Sequence, residues 1–289
     1  LHNDGGKIMA DGMVVLMANT DLNAAKPVYA GKGLGIIAKG NVTALPDFAW
    51  VDGGGFYVES LEGNINASLF NAMVGSKDAG GNITYVNGSI KMIAEKGSIN
   101  NINSLAMYAH ADVELRAKTN ITNDAGIYSE NGNIEIYTLG EGTDEGEIFN
   151  NNELITNNGY VLLYGNKGVT NTSSIVAASV AEGDSLYRDE AGYVTILSNT
   201  KIANTNDVDA NREVIKADKG VYMFAGSEGL TNSADIEVTK GDVILYGVGE
   251  YRGKGMEYLD NTITGGNVTN SGNIFTNEGN IDLNAGAGL

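Results

Sequence analysis

The chain predicts an all-β protein, a parallel β-helix of about ten coils with loop insertions. Three observations predict it. An asparagine-centred element recurs seven times, a glycine-led strand element alternates with it, and the spacing between the two closes on a unit of 21 residues.

In the first element an aliphatic residue is followed two positions on by Asn and six positions on by another aliphatic. The copies are Ile99-Asn101-Leu105, Ile121-Asn123-Ile127, Ile148-Asn150-Leu154, Val169-Asn171-Ile175, Ile202-Asn204-Val208, Leu230-Asn232-Ile236 and Val268-Asn270-Ile274. Earlier in the chain Ala replaces Asn, at Leu22-Ala24-Val28 and Val42-Ala44-Phe48. Ile65-Ala67 keeps two positions but meets Asn71 at the third, and residues 71–98 read as irregular. Strand alternation puts the Asn on the same side as the aliphatic before it, hence inward at a corner. There its amide can bond to the coils above and below as a ladder. The other reading is an outward turn residue in a left-handed conformation. The strict recurrence favours the ladder, and either role is structural.

The second element is Gly-x-apolar-x-apolar, the alternation of a strand with one buried face. It appears at Gly132 to Ile136, Gly159 to Leu163, Gly192 to Ile196, Gly220 to Phe224, Gly241 to Leu245 and Gly279 to Leu283, and with Ala for Gly at Ala111 to Leu115. In this alignment Tyr222 and Phe224 hold the two buried positions of their copy. A unit of this size with short strands and Gly/Asn turns fits one turn of a β-helix. Coils stacked at roughly 4.8 Å make a rod about 50 Å long. Each coil buries its apolar face only against its neighbours, so residues 1–289 are expected to form one solenoid rather than two domains. Leu1 is not an initiator and the chain stops inside a coil, so a fragment of a longer polypeptide is expected.

The composition agrees. Forty glycines, two prolines and no long stretch of 3.6-residue periodicity suit strands and turns. The net charge of −18, from 36 acidic and 18 basic residues, argues against nucleic acid and anionic membrane surfaces as partners. No apolar run is long enough to insert in a membrane. Without cysteine there is no disulfide framework or thiolate metal site. Two histidines, His2 and His110, do not support a zinc site or a Ser-His-Asp triad, and His110 reads as a corner or surface residue. Gly31-Lys32-Gly33-Leu34-Gly35 has no helix pattern after it and is not read as a phosphate loop. Asp207/Asp209, Asp144/Glu145 and Asp189/Glu190 are candidate carboxylate pairs, but they lie in or beside insertions with no matching acids one unit away. No catalytic residue, metal site or cofactor is assigned.

Intervals longer than the unit place insertions at Leu69 to Gly81, Leu139 to Glu147, Ala178 to Ala191, Asp209 to Lys219 and Gly247 to Gly266. Such loops are common binding surfaces on solenoids. The longest holds Tyr251, Arg252, Lys254, Tyr258 and Asp260, where aromatics beside charges suit stacking on a sugar or a partner protein. The alternative is a loop folded on the rod with half-buried tyrosines. Trp50, before Asp52-Gly53-Gly54-Gly55, is either an exposed sugar platform or internally stacked with Phe48, Phe56 and Tyr57.

Val268-Thr269-Asn270-Ser271-Gly272-Asn273-Ile274 through Gly279-Asn280-Ile281-Asp282-Leu283-Asn284-Ala285-Gly286 resembles the haemagglutinin-type repeat of large bacterial exoproteins. Leu230-Thr231-Asn232-Ser233 with Gly241-Asp242-Val243-Ile244-Leu245 does too. The family includes two-partner-secretion haemagglutinins and autotransporter adhesin passengers. The long insertions and Tyr-rich strands are more similar to the latter. The resemblance implies a right-handed parallel β-helix displayed at the surface of a Gram-negative cell or secreted. It implies attachment to a host or bacterial cell-surface protein or glycan, as in aggregation or biofilm formation, without catalysis. It carries over no binding residues, because the shared positions are structural. The alternative is a carbohydrate-active β-helix enzyme, a lyase, hydrolase or tailspike-like depolymerase.

Overall fold

A computed structural model describes residues 6–24, 26–43, 49–51, 54–67, 72–74, 76–77, 83–84, 88–101, 106–140, 145–205, 214–247 and 266–286. Among them there is no helix, and three parallel sheets run the length of a β-helix. Sheet I has eleven strands, from Ile8–Ala10 to Ile274–Thr276. Sheet II also has eleven, from Met13–Ala18 to Ile281–Ala285. Sheet III has ten, from Leu22–Asn23 to Val268–Asn270. The chain visits the sheets in the order I, II, III, and each strand pairs with its counterparts in the coils before and after. The glycine-led element forms sheet II. The asparagine element turns the corner from sheet III into sheet I.

The core is a set of columns. Ile99, Ile121, Ile148, Val169, Ile202, Leu230 and Val268 pair in sequence along sheet III. The first six are buried, and Val268 is half-buried at the last coil. In sheet II, Val113, Ile134, Val161, Val194, Val221 and Val243 form another buried column.

The predicted asparagine ladder is present. Asn101, Asn123, Asn150, Asn171, Asn204, Asn232 and Asn270 stand in register, and the first six are buried. Each Nδ2 donates to the Oδ1 of the next, at 2.6 to 2.8 Å throughout. The second N–H also has work: Asn171 Nδ2 donates to the Ser173 carbonyl at 2.8 Å, and Asn232 Nδ2 to that of Ala234 at 2.9 Å. One amide therefore joins two coils and closes its own turn. Asn fits because it carries both acceptor and donors on a short stem. The ladder begins where the preceding coil has Ala67, which leaves Asn101 Oδ1 buried without a donor.

A second ladder, absent from the sequence reading, lies at the corners. The residue before a strand is often Asp or Asn, and its side-chain oxygen accepts the backbone N–H of its counterpart one coil on. Asp21 takes Asn41, Asn41 takes Asn64 and Asn64 takes Ser98, at 2.6, 2.9 and 2.8 Å. Asp112 takes Asn133, Asp235 takes Asn273 and Asp242 takes Asn280, at 2.8, 2.9 and 2.8 Å. These bonds satisfy corner N–H groups that the sheets leave unpaired. The glycines beside them are forced by close approach: a Cβ at Gly159 would collide with the Gly132 carbonyl oxygen.

Several expectations are corrected. In sheet I, Ala49 rather than Phe48 pairs with Val28, Met107 rather than Leu105 with Ile127, and Ile215 rather than Val208 with Ile175. The described part of residues 71–98 is more regular than its sequence: Ala72–Val74 joins sheet I and Ile90–Ala94 joins sheet II. The sheet I position falls at Ala72 rather than Asn71, and an antiparallel pair, Ser76–Lys77 with Ile83–Thr84, accounts for part of the added length. Val214–Ala217 is a sheet I strand, so that insertion ends before it. The strand Gly220–Ala225 has the opposite phase: Val221 and Met223 face the core, and Tyr222 and Phe224 face out. The corner before Leu230 is one residue longer than in the preceding coil, with Gly229 at φ 86°.

On the outside, tyrosines bridge coils. Tyr137 donates to Glu114, Tyr160 to Glu135 and Tyr246 to Asp282. Tyr128 donates to Glu153 at 3.1 Å. Partial burial, and then these carboxylate bonds and that of Tyr57 with Glu59, raise the phenols, Tyr57 and Tyr128 to about 12 and Tyr137 and Tyr160 further. Burial alone would also raise Glu114, but hydrogen bonds from Lys91 and Tyr137 outweigh it and hold that carboxyl low. The folded phenols keep their protons above the ordinary tyrosine value of 10, so their contribution to stability is full below pH 10 and is lost as pH rises through about 12. Absorbance at 295 nm during alkaline titration should show these tyrosines ionising late and together with loss of the β-sheet circular dichroism signal.

Candidate functional site

The strands of sheet I are mostly three residues long, with the outer two buried and the middle one facing out. Stacking lines up the middle residues of these strands as one stripe. Its register positions run Met9, Tyr29, Trp50, Met73, Tyr108, Tyr128, Ile155 and Val176. Every one is apolar or aromatic. The next two, Lys216 and Glu237, form a salt bridge at 3.2 Å and end the stripe.

At the middle of this stripe Tyr108 and Tyr128 stack with ring centroids 4.8 Å apart and planes 9° apart. Ile155 follows them in register and is shorter. A surface cavity of about 230 Å³ lies here, lined by Tyr108, Ala109, Tyr128, Ser129, Glu130, Ile155 and Asn157. The Tyr128 hydroxyl points its proton at Glu153, and its raised value keeps that proton at every physiological pH. Glu130 is exposed and lies 2.9 Å from His110 Nδ1. His110 is thus a corner residue with a carboxylate partner, in keeping with its sequence reading.

A docked loop stands beside the cavity. Residues 178–191, one of the predicted insertions, are held on the rod by side chains that include Asp218, which accepts the Ser179 backbone N–H at 2.8 Å. Arg188 donates to the Asn131 carbonyl at 2.9 Å, and Asn158 Nδ2 donates to the Leu186 carbonyl at 2.7 Å. Lys219 Nζ donates to the Arg188 and Asp189 carbonyls at 3.1 and 3.0 Å and lies 4.7 Å from the Tyr187 ring centroid. Asn131 and Asn158 each come one residue after a cavity residue, Glu130 and Asn157. Leu186 stands 53% exposed on the loop.

Sheet II also carries outward apolar residues; Met13, Val15 and Met17 of its first strand are exposed, whereas those from Leu162 to Tyr246 close over one another. Tyr164, Leu197, Phe224 and Tyr246 form one column. Leu162, Tyr222 and Ile244 pack beside it. Leu197 and Phe224 are only 5% and 7% exposed, so this is an exterior secondary core and not an open surface.

The structure places Trp50 in the strand Ala49–Val51, at the stripe position between Tyr29 and Met73. Tyr251, Arg252, Lys254, Tyr258 and Asp260 lie outside the described residues, as do Phe48, Asp207, Asp209 and Asp144. Glu190 is tied to Arg188, whose Nε donates at 2.9 Å, and its carboxyl is held low first by its own backbone N–H and then by Arg188. Among the described residues no group of three or more His, Asp or Glu is placed to hold a metal ion, and no helix is long and apolar enough to cross a membrane. The cavity residues were missed because a lone outward residue in a three-residue strand leaves no local pattern. The signal exists only across coils, in the residue that follows the first aliphatic of each sheet I strand. No protein-family model, curated protein or solved structure matches the chain.

Proposed function

We propose that this chain is a non-catalytic adhesive segment that attaches a bacterial cell to a host cell or to another bacterium. The outer face of sheet I makes the contact. The observation that carries the reading is the outward column Tyr108, Tyr128, Ile155 and Val176, with the cavity that the first three line. Contiguous exposed apolar surface with a polar rim marks an interaction site. A rigid rod repeats that surface over many coils, which suits attachment better than turnover. The resemblance to autotransporter adhesin passengers supports the same reading and adds display at a Gram-negative surface.

Beads coated with the purified chain should capture epithelial or bacterial cells, and Tyr128→Ala should lower capture about tenfold, the loss typical of a central interface aromatic. Tyr128→Ala capturing as well as the parent chain would contradict the sheet I reading. Release of shortened glycan from the captured cells would instead favour the carbohydrate-active enzyme.

A further inference from the structure

The stripe alone does not say what is recognised, but the cavity and its charges narrow the chemistry. Its volume of about 230 Å³ falls below the roughly 300–1,000 Å³ of sites for drug-sized ligands and suits a single sugar ring. The lining combines an apolar wall with polar groups at its edge. Tyr128 and Ile155 offer flat and aliphatic surface for the C–H face of a pyranose. Glu130 accepts hydrogen bonds from ring hydroxyls, and Asn157 can donate and accept. The rings of Tyr108 and Tyr128 already stack on each other, so the pair is ordered before a ligand arrives.

Charge decides between sugars. Glu130 lines the cavity and Glu153 stands behind the Tyr128 hydroxyl. The nearby cations are committed elsewhere: Arg188 is bound to Glu190 and the Asn131 carbonyl, and Lys219 to the loop carbonyls. His110 sits against Glu130. The chain as a whole carries −18. An anionic sugar would meet carboxylates here, with no guanidinium or ammonium among the described residues offered to it.

Building on the adhesive reading of this face, we infer that the cavity takes one ring of a saccharide without negative charge, neutral or amine-bearing, and rejects carboxylated and sulfated glycans. Glu130 is the residue that sets this preference, and Tyr128 is the platform.

The test is calorimetric titration of the intact chain with three trimers: galactotriose, trigalacturonate, which differs from it by oxidation of each C6, and the glucosamine trimer. Galactotriose and the glucosamine trimer should bind. Trigalacturonate should bind about tenfold more weakly or not at all, the scale of two like charges a few ångströms apart at a protein surface. Tyr128→Ala should abolish binding of both favoured trimers. Tyr128→Phe, which keeps the ring, should retain it. Glu130→Gln should narrow the gap between galactotriose and trigalacturonate, and this holds even if Tyr128→Ala does not fold. Equal or tighter binding of trigalacturonate would overturn the inference. So would a chain that captures cells through Tyr128 yet binds none of the three trimers, and that result would leave the adhesive reading standing. Trimer binding without cell capture would uphold the sugar site and overturn the adhesive role.

Discussion

Replacing Asn171 by Asp is expected to destabilise the rod by about 3–5 kcal/mol at neutral pH, the cost of an unpaired charge in a buried site. Asn171 receives a hydrogen bond from Asn150 and donates two, to Asn204 Oδ1 and to the Ser173 carbonyl. A carboxylate keeps the first and loses both donors. The buried Asn204 Oδ1 and the half-buried Ser173 carbonyl lose their donor, and a charge is left 1% exposed among amides. The effect should depend on pH in a definite direction. Burial raises the folded-state value of such an Asp above its unfolded value of about 3.9, so the share of the penalty that comes from charge is absent at low pH, where the neutral carboxyl regains one donor, and grows as pH rises. Asn171→Ala should cost less, about 2–3 kcal/mol, and show no such pH dependence, because it removes hydrogen bonds without adding charge. Urea unfolding at pH 4 and pH 7 separates the two. Equal losses for Asp and Ala at both values would mean that the ladder amide is not enclosed as described.

The second large effect concerns coil register. Ile148 pairs with Val169, so residues 148–168 span one complete coil. Deleting all of them brings Val169 to the place of Ile148, and every later strand finds an equivalent partner one coil earlier. Asn171 would then stack on Asn123. The shortened rod should fold and lose roughly one coil's share of nearest-neighbour stability. Deleting residues 148–158 instead removes half a coil, places sheet II residues where sheet III residues belong, and exposes the apolar columns of every following coil. That variant should fail to fold beyond the junction. Circular dichroism and limited proteolysis distinguish the outcomes. A half-coil deletion as stable as the whole-coil deletion would contradict a stacked architecture.

The sequence declared the core more openly than the surface. Seven asparagines at a fixed offset from aliphatics appear because each must meet its counterpart one coil away, and a ladder tolerates no substitution that lacks both donor and acceptor. The corner Asp/Asn ladder was equally written, in Asn41, Asn64, Asp112, Asn133 and Asp242 before their strands, but those residues also suit ordinary turns and so do not announce their partners. The phase of Gly220–Ala225 was not legible. Val221 and Met223 alternate with Tyr222 and Phe224, both sets are apolar, and alternation alone does not choose a face. Corner length chose it. The candidate site was the least legible part. Aromatics and charges crowded together draw the eye to Tyr251, Arg252, Lys254 and Tyr258, while Tyr108, Tyr128 and Ile155 stand far apart in the chain and meet only because the intervening residues complete whole coils.

The central claim is that equivalent residues of successive coils form continuous columns, with the asparagine amides as their most specific member. Nuclear magnetic resonance of the side-chain amides tests it most directly. The account predicts that the Nδ2 protons of Asn123, Asn150, Asn171 and Asn204 exchange slowly with solvent and that, among the asparagines, each shows cross-peaks only to its immediate neighbours in the ladder. Fast exchange at these four, or cross-peaks that skip a coil and join Asn123 to Asn171, would contradict it.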